Sequence, residues 1–340
     1  MNKPRLGAWL VLLLAAVLLA GCGRPLAAES APMSQSQLLL DTVCSITLYQ
    51  GGDEEALQQA FALAADYESQ LSRTAEGGQV WRINQGETVA VSPETAELIS
   101  LGLDYGRLSG GSFDITVGAL TQLWDFGGAN HLPTAEELAA ALATVGQDAV
   151  TVTRAADGQS LVSLSRPGAQ LELGAIAKGY IADQTAAFLR EQGVTAGVLD
   201  FGGNVLTLGE KPDGTAWRIG VQQPFGSERV EMLGLIEITG AASIVTSGVY
   251  ERNFQQDGVL YHHILDPASG YPAASGVMGV TVVSRSSAQG DALSTICLLL
   301  GLEAGSRLLE SQEGVAGAVW VDQAGEVYVQ GEISFIPASQ

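Results

Sequence analysis

Four short stretches carry residue types that can do chemistry together. The first is Leu171-Glu172-Leu173-Gly174-Ala175-Ile176-Ala177-Lys178-Gly179-Tyr180. It reads as a strand, a tight turn and a helix start, and a helix start offers unpaired N–H groups and the positive end of a dipole. Lys178 on the first turn adds a full charge, so the corner suits a phosphate. It is equally the form of an ordinary strand–helix corner with an exposed lysine. The second stretch joins Thr246–Arg252 to Tyr261–Pro272 and holds His262 and His263, two of the three histidines in the chain. In extended backbone they point to opposite faces, so one can enter a site while the other serves core or surface. A neutral imidazole is an acid/base or ligand group near pH 7; a solvated pair in a hairpin is the alternative.

The third stretch is Asp291-Ala292-Leu293-Ser294-Thr295 inside an apolar helical run. Asp291 and Thr295 share a helix face, and a carboxylate there is costly unless paired or metal-bound. Carboxylate, hydroxyl, backbone carbonyl and phosphate oxygens together make a hard-oxygen site for Mg²⁺ or Ca²⁺. Asp291 also lies close enough to the helix start to act as a cap. The fourth stretch, Gly110-Gly111-Ser112-Phe113-Asp114-Ile115-Thr116, sets an aromatic beside a carboxylate. The pair can stack on and hydrogen-bond a flat ring, or be a core Phe and a turn Asp.

The elements that must position these groups follow from periodicity and caps. Residues 43–50 read as a strand. Asp53 caps a helix to Leu71, followed by a loop over 72–78. Ser92-Pro93 opens a second helix ended at Ser109-Gly110-Gly111, and Pro133-Thr134 opens a third, to Thr144. Strands are expected at 149–153, 160–164 and 170–173, then a helix over 175–192 closed by Gly193. Further strands are expected at 196–200, 204–208, 216–221, 233–239, 241–246 and 277–284, then helices over 286–301 and 303–311, and late strands at 317–321 and 326–330. Helices and strands alternate in groups, which points to an α+β fold. No linker interrupts 37–340, so that range reads as one large domain.

The chain has 340 residues and a formal charge of −21. The leader carries Lys3 and Arg5 and no acid, so its removal makes the rest two charges more negative. No basic stripe is present, which sets nucleic acid aside as a partner. An acidic chain that handles an anionic substrate needs a local cation and placed bases. Lys3, Lys178 and Lys211 are the only lysines. There is no GxxxxGK[ST] and no GxGxxG after a strand, so any nucleotide is held by another fold.

Asn2–Arg5 is basic, Leu10–Ala20 is an apolar run too short for a comfortable span, and Leu19-Ala20-Gly21-Cys22 resembles a lipobox. Residues 1–21 are expected to be a lipoprotein signal peptide, Cys22 a lipidated N-terminus and 22–36 a tether. The protein would then sit outside the cytoplasm, lipid-anchored to a bacterial membrane. Cys44 and Cys297 can be two separate buried thiols or a disulfide, with the thiols favoured.

The motifs GAIAKGY at 174–180, SFDIT at 112–116, FGGN at 201–204, TSGVYER at 246–252, HILDPASGYP at 263–272 and DALST at 291–295 resemble, in this order, the ApbE family of FAD:protein FMN transferases. The resemblance covers nearly all of 37–335. It implies a single α+β domain with a T-fold-like core of antiparallel sheet and flanking helices. It implies Mg²⁺ held by the Ala175 carbonyl, Asp291 and Thr295. It places flavin and adenosine contacts at Thr74, Ser112, Phe113, Asp114, Glu172, Lys178 and His263. The sequence departs from the family's usual pattern at Leu40-Asp41-Thr42, where Met-Gly-Thr is common, at Thr74 for Tyr and at Glu172 for Asp. The implied reaction is Mg²⁺-dependent transfer of the FMN half of FAD to a Ser/Thr hydroxyl of a membrane-associated flavoprotein subunit of respiratory or ion-pumping type, with AMP released. His263, Asp291 and Lys178 are the implied catalytic groups. FAD hydrolysis at the same site and non-catalytic FAD binding by a lipoprotein are the competing readings.

Overall fold

The computed structural model describes residues 31–226 and 232–338, and from Met33 onward the chain forms one compact unit. The signal segment and Cys22 lie outside the described residues. In chain order the elements are β1 (Met33–Leu39), β2 (Thr42–Gln50), α1 (Glu54–Leu71), α2 (Gln79–Asn84), β3 (Val89–Val91), α3 (Pro93–Leu108), α4 (Gly118–Trp124) and α5 (Ala135–Leu142). Then come β4 (Val150–Arg154), β5 (Ser160–Leu164), α6 (Ala177–Glu191), β6 (Ala196–Phe201), β7 (Asn204–Leu208), β8 (Trp217–Gln222), β9 (Met232–Ile238) and β10 (Ser243–Gly248). The last are β11 (Asn253–Gln256), β12 (Val259–His262), β13 (Val277–Ser284), α7 (Ser287–Glu310), β14 (Val315–Asp322), β15 (Val327–Gly331) and β16 (Ser334–Pro337).

The frame is an eight-stranded antiparallel sheet in the order β1-β2-β6-β7-β10-β13-β14-β15. Both faces of its centre are covered, which is why β13 and β14 are almost continuously apolar. Val280, Val282, Ala318 and Trp320 face the main core with α6 and α7, while the alternate residues Val283 and Val319 face a second core closed by the sheet β16-β9-β8. The expected α+β architecture in one unit is the one observed. A third sheet, β3-β5-β4, lies beside α3, and the hairpin β11-β12 stands apart.

α7 is the central helix. Its apolar run is long enough to cross a membrane, but half of its most hydrophobic window is buried among strands and α6. Ala292, Leu293, Ile296, Cys297 and Leu298 are fully buried. Truncating Leu293 to Ala would cost about 2–5 kcal/mol. Gly301 breaks the helix with φ 79 and ψ 173, at the boundary expected between two helices. The N-terminal end is capped twice: Ser286 Oγ accepts from Gln289, and Asp183 accepts from Ser286 Oγ and the Ser287 and Ala288 N–H groups.

Several expectations are corrected. The folded unit begins at Met33, not at 37, because Met33–Leu39 pairs residue for residue with β2. Residues 170–173 form no strand; only Gln170 bridges to Val117. Helices α2 and α4 and strands β3, β11, β12 and β16 were not expected. Cys44 and Cys297, by contrast, are the separate, buried, free thiols that the sequence favoured.

Candidate active site

The corner before α6 and the face of α7 meet at one hydrogen bond. The Gly179 N–H donates to Asp291 Oδ2 at 2.9 Å. In a helix one turn longer that N–H would meet the Ala175 carbonyl, which accepts no backbone hydrogen bond among the described residues. A carboxylate oxygen and a free carbonyl thus come to the same helix start. The approach requires glycine: a Cβ on Gly179 would lie 2.2 Å from the Ser287 carbonyl oxygen.

Asp291 is 4% exposed, and its Oδ1 has no hydrogen-bond partner among the described residues. Burial pushes its carboxyl up from the ordinary range, while Lys178 and the Gly179 N–H pull it down and Asp183 pushes it up. Thr295, one turn on, exchanges a hydrogen bond with Ser247 of β10 at 3.0 Å, and Ser247 meets Ser294 at 2.8 Å. The structure therefore sets Asp291 against the helix start that carries Ala175 and Lys178, with Thr295 one turn further along α7. One carboxylate, one hydroxyl and one carbonyl are hard oxygen donors of the kind that suit Mg²⁺ or Ca²⁺. Among the described residues no three His, Cys, Asp or Glu side chains cluster as metal ligands.

Lys178 is half-buried and makes no ion pair among the described residues. Its charge reaches Asp291, Cys44 and His263. His263 is half-buried at the end of β12, its N–H bonded to the Arg252 carbonyl at 3.0 Å and its Nδ1 3.3 Å from the same oxygen. A carbonyl only accepts, so Nδ1 carries the proton and Nε2 keeps its lone pair. Burial, then the charges of Arg252 and Lys178, press His263 down to about 3. His262 takes the opposite face as expected: it is buried, with Nε2 bonded to the Ala273 carbonyl at 3.1 Å.

Glu172 is held on both oxygens, by Arg73 at 2.8 Å and by the Gly174 N–H at 2.8 Å. This ion pair ties the loop carrying exposed Thr74 to the Gly174 corner; Arg73 was missed in the sequence because nothing local marks its distant partner. Thr74 itself is bonded only within its turn, to Ser72. The 112–116 stretch takes its plainer form. Phe113 is 3% exposed and its ring packs edge-on against Tyr105. Asp114 closes a turn, accepting from the Thr116 N–H and hydroxyl, and burial raises its carboxyl. Ser112 beside it is half-buried. Two cavities, of about 570 Å³ between β2, β6 and β8 and about 960 Å³ between α3 and the β4–β5 hairpin, do not include these residues.

The fold is α+β, and its corner sets a helix start and a lysine beside a buried carboxylate. The sequence pattern of the ApbE family matches residues 40–320, and the chain belongs to that family. It is 37% identical over 286 residues to an FAD:protein FMN transferase of Klebsiella pneumoniae, covering 83% of this chain and 87% of the relative. To the one of Vibrio cholerae it is 34% identical, with 90% of this chain and 91% of the relative covered. The crystal structure of the ApbE protein of Thermotoga maritima superposes with TM-score 0.79 at 30% identity, over 88% of this chain and 97% of that one. The flavin transferase ApbE of Vibrio cholerae superposes with TM-score 0.77 at 29% identity, over 88% and 97%.

Proposed function

We propose that the protein is an FAD:protein FMN transferase: it moves the FMN half of FAD to a Ser or Thr hydroxyl of an acceptor protein, and AMP leaves. The observation that carries this reading is the corner at Gly179, where a buried carboxylate, a free carbonyl and the start of α6 converge beside Lys178. Ala175, Asp291 and Thr295 would hold Mg²⁺, which supplies charge neutralisation between the two phosphates when bound. Lys178 and the N–H groups of the α6 start bind the diphosphate. Glu172, fixed by Arg73, the neighbouring Thr74 and residues 112–114 border the flavin and adenosine ends.

The acceptor hydroxyl forms a new O–P bond to the FMN phosphorus as the bond between the phosphates breaks, and the bridging oxygen departs with AMP. The hydroxyl proton needs an acceptor, since a neutral alcohol is a poor nucleophile. His263 Nε2, unprotonated and oriented by the Arg252 carbonyl, is the base. Its depressed basicity comes partly from Lys178, and a bound diphosphate offsets that charge and restores part of it. The acceptor is a membrane-associated flavoprotein subunit, and a lipid anchor on Cys22 keeps the enzyme on its side of the membrane.

The test is incubation with FAD, Mg²⁺ and a purified flavoprotein subunit, read by intact mass. An added FMN on the acceptor with equimolar AMP is the expected result. Free FMN in place of labelled acceptor would make water the nucleophile, and FAD bound without AMP release would end the enzymatic reading.

A further inference from the structure

His263 lies where the main core meets a smaller cluster: Ile264 beside it is buried in the main core, and Leu260 and Ala273 pack against that core. On one side it follows β12, whose Tyr261 pairs with Phe254 across the hairpin at a ring separation of 5.3 Å. On the other it leads into the turn from Asp266 to Tyr271, closed by Gly270 N–H to Asp266 O at 2.8 Å and Asp266 N–H to Tyr271 O at 2.8 Å. Both flanks rest on a separate apolar cluster built from Leu120, Trp124, Leu138 and Leu265. Trp124 is fully buried at its centre and touches both flanks at once. Its ring lies 5.4 Å from Tyr261 and 5.7 Å from Tyr271, and its indole N–H donates to the Gly270 carbonyl at 2.8 Å. Gly270 leaves no room to slip: with φ +71, a Cβ there would come within 2.9 Å of Leu138.

We infer that Trp124 is a positioning residue for His263: it clamps the strand before the histidine and the turn after it, and so fixes where Nε2 points. The inference rests on the base role proposed for His263. Among the described residues the segment's backbone bonds are His263 N–H to Arg252 O, Ala273 N–H to Ile264 O and the two that close the turn, so outside itself it is tied by backbone at Arg252. The indole bond spans 146 positions of sequence, from the end of α4 to that turn. Trp124→Phe keeps an aromatic ring but leaves the buried Gly270 carbonyl without its donor.

The experiment is a cycle of Trp124→Phe and His263→Ala on the full chain, reading AMP release from FAD and Mg²⁺ with a purified flavoprotein subunit as acceptor, and FAD affinity by flavin fluorescence. Trp124→Phe is expected to slow transfer about tenfold, the effect of one buried hydrogen bond, with FAD affinity unchanged. In the His263→Ala background it should slow transfer no further, because residues acting through one group are not additive. The His263 ring signals in ¹H–¹⁵N NMR should broaden or shift in the single Trp124 variant. Equal slowing in both backgrounds, or no slowing at all, overturns the inference while leaving the base in place. A His263→Ala enzyme at full rate removes the base and the inference together. Should Trp124→Phe fail to fold, Phe254→Leu at the same cluster runs the same cycle.

Discussion

The two halves of the site are built differently. The corner at Ala175–Gly179 and the face of α7 belong to the main core: Ile176 is fully buried and Asp291 is 4% exposed. α7 is fixed against the central sheet and α6. The histidine half sits on a hairpin and a turn shared between the main core, through Ile264 and Leu260, and a small second cluster around Trp124. Charge-handling groups are thus set inside the main core, and the proton-handling group at its border with the smaller cluster. Electrostatic stabilisation depends on preorganised groups, whereas a base needs one nitrogen within reach of one proton. The difference should appear as opposite couplings of activity to stability in the two halves.

The largest effect is expected at the corner. Asp291→Ala removes the carboxylate and the partner of the Gly179 N–H, and transfer should fall by at least about a thousandfold, the scale of losing a principal electrostatic group. Normal turnover in that variant would break the comparison at its root. His263→Ala should lower the transfer rate by roughly 10²–10⁴, the usual worth of a general base, with FAD affinity and unfolding midpoint unchanged. A fall in FAD affinity instead would make His263 a binding residue and merge the two halves. Gly179→Ala tests rigidity: its Cβ meets backbone atoms of Ser287 and Ala288. Overpacking of this kind costs about 1–3 kcal/mol, read as a lowered thermal midpoint, and transfer should fall with it because the Asp291 bond is displaced. Loss of stability with full activity would show that the corner tolerates movement.

The same division governs what was legible in the sequence. Helix ends with local chemistry were readable: the Asp53 side chain does accept from Ala56, Ser92 from Thr95 with Pro93 beside it, and Thr134 and Glu137 form a reciprocal cap. The kink at Gly301 was readable for the same reason. What failed was pattern without burial. β1 is polar and sits at the sheet edge, so Met-Ser-Gln-Ser-Gln carries no core alternation and looked like tether. β11 and β12 are short, and their inward residues serve a cluster that no period announces. At the site, residues joined within one turn of helix, such as Asp291 and Thr295, were readable. Partners fixed only by the fold were not: Arg73 with Glu172, Asp183 at the start of α7, and Trp124 with Gly270. The four chemical stretches could be found one by one, but their meeting is a property of the sheet order.

The smallest effect is a displacement on the pH axis. In the free enzyme, burial together with Arg252 and Lys178 holds His263 near 3. A base acts unprotonated, so activity is lost as pH falls through its pKa, and kcat/KM, which reports the free enzyme, should keep its acid limb at low pH. In the FAD complex the diphosphate lies by Lys178 and cancels part of the charge that opposes protonation, which raises the pKa. The acid limb of kcat should therefore lie at higher pH than that of kcat/KM. Lys178→Gln removes an opposing charge from both the free enzyme and the complex, so both limbs should move to higher pH. Coincident limbs in the wild-type protein would mean that the diphosphate does not reach Lys178, and the histidine half would then work independently of the corner.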